Sequence, residues 1–163
     1  MTENRERWGP ERRASAYAEL EHPSDLFLEI HGRDPQELLE NALFAFYDEV
    51  SEMDGFEPRR ELTLEAGGAQ LDDALRALLS EALFYFDTEG FVAVGGTVTL
   101  DGPDVLKAAT SAAAPWRATA RLRGDNADRE RHTLLHEVKA VTYHRLAVSR
   151  VEDGWTATVL LDL

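Results

Sequence analysis

Apolar residues recur along this chain with two periods. In DLFLEI, Leu26, Leu28 and Ile30 alternate with outward positions and predict an extended segment within 17–32. The period then lengthens. In DPQELLENALFAFYDEV, Leu39, Ala42, Leu43, Phe46, Tyr47 and Val50 fall at helical spacing. Asp34 stands at the cap, Pro35 at the first helical position and Glu37 at the third, which sets the helix start. A strand is expected at 58–66 and a turn at GGAQ. A second helix carries Leu71, Leu75, Leu78, Leu79, Ala82 and Phe86 and stops at Gly90. Beyond Gly90 the period is two, predicting strands at 91–100, 116–123 and 137–151 and a last strand, WTATVLLDL, joined to its predecessor by an EDG hairpin turn. Two main amphipathic helices among these strands imply an α+β fold built on a mostly antiparallel sheet. One domain is expected over 16–163, after a disordered polar tail at 1–15, with a variable loop at 103–115 and a polar loop at 124–132.

Composition narrows the function. At 163 residues the chain buries a core without staples, and it has no cysteine, which excludes disulfides and thiolate metal sites. The start, MTENRERWGPERRASA, lacks the apolar core of a signal peptide, and no apolar run is long enough to span a membrane, so a cytoplasmic location is expected. With 31 acidic against 17 basic side chains, the formal net charge is −14. Strong direct nucleic-acid binding is disfavoured, because it depends on Lys and Arg displacing counterions. A basic protein partner or a metal cation suits this surface, and so does solubility alone.

The last strand places Trp155, Ala157, Val159 and Leu161 on one face and Thr156, Thr158, Leu160 and Asp162 on the other. Asp162 adjoins the α-carboxylate of Leu163. Water could solvate this pair at an exposed strand end, or a hard cation could hold it through oxygen ligands. Asp25, in EHPSDLF, is the candidate third ligand, with His22 as a hydrogen-bond partner behind it. In EVKAVTYHRLAV, a strand would put His144 on a largely apolar face with Val138, Ala140, Thr142, Leu146 and Val148, and Lys139 and Tyr143 on the other. P-loop, dinucleotide-fold, zinc-protease and nucleophile-elbow motifs are all missing.

Together these pieces resemble the archease family. The matching stretches are YAELEHPSDL, against a family pattern close to Y-x-x-L-E-H-T-A-D, then GRDPQELLENALFAFYD, LLSEALFYFDTEG, RERHTLLHEVKAVTYHRLAV and the Asp-aliphatic end. The resemblance implies an accessory protein, not an enzyme. It would promote guanylylation and multiple turnover of an RtcB-type, GTP-dependent RNA ligase in tRNA splicing or RNA repair. It also implies a divalent-cation site, with calcium the expected ion and magnesium or manganese as alternatives. Carried over residue by residue, its ligands are Asp25, Asp162 and Leu163. His22, Lys139, Tyr143 and His144 are further candidates near it. Pro23-Ser24 replaces the family's Thr-Ala, and Phe27 a small residue. The competing readings are a metal-dependent hydrolase using Asp25, Asp162 and His144, and a chaperone-like module.

Overall fold

Helix α1 (Pro35–Val50) begins as its sequence requires. The Asp34 carboxylate accepts the Glu37 N–H at 2.8 Å, and the Glu37 carboxylate accepts the Arg33 N–H at 3.0 Å. The computed structural model describes residues 7–103 and 115–163, so the loop expected at 103–115 lies outside the described residues apart from its two ends. Helix α2 (Leu71–Glu89) starts with reciprocal bonds between Gln70 and Asp73 and ends on Gly90, whose φ of 70° is the left-handed value that a Cβ disfavours.

Eight strands are described: β1 (Tyr17–Leu20), β2 (Asp25–Gly32), β3 (Arg60–Gly68), β4 (Phe91–Asp101), β5 (Trp116–Asn126), β6 (Ala140–Val141), β7 (Ala147–Val151) and β8 (Gly154–Asp162). They form two sheets, and every described pair is antiparallel. One sheet runs β1-β2-β8, with β6 and β7 in succession along the far edge of β8; the other runs β3-β5-β4. α1 lies between β2 of the first sheet and β4 of the second. That position explains why it is buried almost all round, from Leu38 to Val50. α2 packs on β3 and reaches β6 and β7. Among the described residues, no helix is long and apolar enough to cross a membrane.

Two expectations are corrected. Residues 137–151 are not one strand. The chain pairs with β8 at Ala140–Val141, keeps one bond from the Thr142 N–H to the Leu160 carbonyl at 3.1 Å, turns away at 143–146, and returns at Ala147–Val151. Arg145 turns the backbone there with φ 59°, and the Thr158 hydroxyl donates to its carbonyl at 2.7 Å. Residues 7–15, read as part of a disordered tail, instead form a strap over α1 and the edge of β4. Trp8 is buried against Phe44 and Tyr47, and its backbone N–H donates to the Val94 carbonyl at 2.7 Å. The Arg13 guanidinium grips the buried Asp48 carboxylate with bonds of 2.6 and 2.7 Å, and the Tyr17 hydroxyl donates to it at 2.6 Å. The strap thus covers an edge strand that would otherwise offer unpaired backbone groups.

The last turn of α1 carries a destabilising charge. Glu49 is half-buried, and burial, then Glu19 of β1 and Asp48, push its carboxyl up to about 7. The helix's carbonyl end, with no basic residue in its last turn, disfavours the same charge. A carboxyl raised in the fold holds a proton that the unfolded chain releases at lower pH. Its stabilising contribution is therefore full below about 4.5 and lost as pH rises through about 7. Glu49→Gln is expected to melt above the native chain at pH 8 and to lose that advantage by pH 4.5. A melting difference independent of pH would contradict this account.

Candidate functional site

Pairing of β2 with β8 sets Asp25 directly opposite Asp162. The core dictates this register: Leu26, Leu28 and Ile30 pair with Leu161, Val159 and Ala157, all buried, and a slip of one residue would turn each set outward. The two carboxylates consequently share the outer face at the strand ends, where directly opposed like charges repel. Among the described residues neither has a Lys or Arg partner. Asp25 has only His22, whose Nδ1 lies 3.5 Å from Oδ2. That nitrogen is buried and makes no hydrogen bond. The Pro23-Ser24 turn that delivers Asp25 holds Ser24 at φ 69°, a conformation uncommon outside glycine.

Uncompensated oxygen ligands beside an orphaned imidazole nitrogen suit a hard divalent cation. No three His, Asp or Glu side chains among the described residues converge on one point. Asp25, Asp162 and His144 therefore make no triad, and a third anionic donor would have to be the main-chain carboxylate of Leu163. The Leu163 side chain turns the other way and packs against the core.

The remaining candidates fall on the excursion at 143–146 or just before it. The Lys139 N–H donates to the Asp162 carbonyl at 2.7 Å, tying down the strand end, while its side chain is exposed. Tyr143 is 67% exposed, and the Arg76 guanidinium of α2 lies 3.8 Å from its ring centroid. His144 is not on an apolar strand face, as the strand reading required. It is exposed in the turn, and its N–H donates to Thr142 Oγ1 at 3.2 Å.

Sequence reasoning passed over the apolar floor of this face. Phe27 and Leu160 pair across the strands and are buried, although both point away from the main core. The His22 ring meets Phe27 edge-on at 5.9 Å, and the Arg145 guanidinium covers it at 4.8 Å. The signal was present: Phe27 and Leu160 are the apolar residues that break the alternation of their strands. That Arg145 of a turn would lie over Phe27 could not be read locally.

The family model described as Archease protein family (MTH1598/TM1083) matches residues 17–163. The protein archease of Archaeoglobus fulgidus is 32% identical over 147 residues, covering 90% of this chain and 98% of that one. That of Methanopyrus kandleri is 31% identical, covering 90% and 99%. The solution structure of Methanobacterium thermoautotrophicum protein 1598 superposes with a TM-score of 0.72 at 25% identity, over 91% of this chain and 99% of that one. A crystal structure of a Thermotoga maritima archease, described as a possible chaperone, shares the fold with a TM-score of 0.53 at 20% identity, over 90% and 96%.

Proposed function

The chain belongs to the archease family, and from that premise we propose that it activates an RtcB-type, GTP-dependent RNA ligase, promoting the ligase's guanylylation and repeated turnover in tRNA splicing or RNA repair. The observation that carries the reading is the facing pair Asp25 and Asp162 at the end of β8, unbalanced by any described Lys or Arg. Asp25, Asp162 and the α-carboxylate of Leu163 would hold a divalent cation, calcium foremost. When bound, that cation supplies the positive charge that lets these carboxylates lie together. The chain's own groups do the rest. His22 can donate from Nδ1 to Asp25 and fix its rotamer. The Lys139 N–H keeps the β8 end from splaying. The exposed Lys139 and Tyr143 side chains would meet the partner. With a net charge of −14, the protein is suited to a basic protein surface and poorly suited to RNA alone.

The test mixes the protein with the ligase of its own genome, GTP and Mn²⁺ or Mg²⁺, and follows radiolabelled guanylate on the ligase. Faster guanylylation and more ligations per ligase are expected. Label on this chain instead, or an unchanged ligase rate, would refute the proposal. Protection of the ligase from aggregation without a change in guanylylation would point to a chaperone-like role.

A further inference from the structure

A concavity of about 640 Å³ lies where the last turn of α2 meets residues 127–137. Its walls include Phe86 and Asp87 of α2 and His132, Leu134, Leu135 and Glu137 of the returning segment. That segment is well anchored. The Glu52 N–H donates to the Thr133 carbonyl at 3.0 Å, the Leu135 N–H to the Val50 carbonyl at 2.8 Å, and the His132 ring stacks on Phe56 at 3.8 Å. So held, the chain turns Leu134 and Leu135 outward, 36% and 48% exposed.

Three polar groups of the concavity, His132 Nε2 and the Asp87 and Glu137 carboxylates, lack partners among the described residues. His132 is 8% exposed, and its Nδ1 accepts the Asp128 N–H at 2.8 Å. In the neutral ring the hydrogen is then on Nε2, and no described group accepts it. Burial, followed by Glu137, raises the Asp87 carboxyl above its ordinary value. Neither acid has an ion-pair partner among the described residues, whereas neighbouring Glu89 is taken by Arg60 at 2.6 Å. Arg129 also borders the space but pairs with neither. The carbonyl end of α2, with no basic residue in its last turn, adds to the negative potential.

We propose that this concavity docks a basic, apolar segment of the partner protein. The aliphatic stem of a Lys or Arg lies on Phe86, Leu134 and Leu135, its cationic head enters between Asp87 and Glu137, and a backbone carbonyl accepts the His132 Nε2–H. This deepens the ligase-activator reading and rests on it. Residues 137–139 run from the concavity to Asp162, whose carbonyl the Lys139 N–H holds, so a segment seated here brings its owner towards the carboxylates.

The test uses Asp87→Asn and Leu135→Ser in the full chain, with calorimetric titration against the ligase, the guanylylation assay and thermal melts at pH 7.5. Asp87→Asn removes a charge that the fold disfavours, so it is expected to melt at or above the native temperature. Both variants are expected to bind the ligase at least tenfold more weakly while binding Ca²⁺ as the native chain does. Affinity within twofold of native for either folded variant overturns the docking site and leaves the activator reading standing. A native chain that neither binds nor activates the ligase ends that reading, and this inference with it.

Discussion

Asp162→Asn is expected to remove at least half of the metal-dependent stabilisation and, with it, ligase activation. Removing one charged oxygen ligand should weaken the divalent cation at least tenfold, ~1.4 kcal/mol. In the native chain, a cation at a hundredfold its dissociation constant adds ~2.7 kcal/mol, which for a domain of this size is roughly 5–10 °C of melting temperature. Asp25→Asn should behave alike, because the two residues face each other across β2 and β8. In chelator the order should reverse. Without a cation the facing carboxylates only repel, a cost of up to ~1 kcal/mol, so each Asn variant should melt slightly above the native chain. A C-terminal extension turns the Leu163 carboxylate into a neutral carbonyl and should fall between. Calorimetric titration with Ca²⁺, Mn²⁺ and Mg²⁺, melts with and without chelator, and ligase guanylylation measure all of this. Aspartate variants that bind metal and activate like the native chain would place the cation elsewhere.

Removal of residues 1–16 is expected to be the largest perturbation of stability. Truncating a buried Trp typically costs 3–5 kcal/mol. Trp8 should fall lower, at about 2–3 kcal/mol, because its buried indole N–H has no acceptor and its loss relieves that penalty. Arg13→Ala strips two short bonds from Asp48, a carboxylate whose side chain is only 6% exposed, and should cost about 2–3 kcal/mol. Both residues rest on α1, so their effects should not simply add. Deletion of the whole strap also bares the edge of β4 and should promote self-association. Urea unfolding and light scattering report the two effects. A deletion variant with native stability and a monomeric profile would show that the strap contributes nothing.

The ends of the two helices follow from local signals. The start of α1 depends on Asp34, Pro35 and Glu37, neighbours in the chain, and the end of α2 depends on one glycine; such signals act within a turn and need no partner. The inward residues of β8 likewise follow from period two. The expected strand over 137–151 failed for the opposite reason. Its alternation is good throughout, but whether a strand continues depends on what its neighbour offers. At 143–146 the chain leaves β8, and Arg145 of that turn lies over Phe27, a residue contributed by another strand. The tail at 7–15 failed similarly. Arg12, Arg13 and Trp8 in a polar run look solvated until α1 supplies Glu40, Asn41 and Asp48, and Phe44 and Tyr47, to receive them, while Arg7 finds the Phe56 carbonyl at 2.8 Å.

The sequence by itself determined the helices and their ends, the alternation of the strands, the acidic character, and, through its motifs, the family. Tertiary structure alone decided that Asp25 lies across from Asp162, that the strands divide into two sheets around α1, and that Asp87 and Glu137 border one concavity with His132. The physical reason is range. Capping and periodicity are satisfied by residues within a turn or two, whereas cross-strand register, helix-on-sheet packing and the desolvation of a charge are set by atoms that the chain brings together only when the whole core closes.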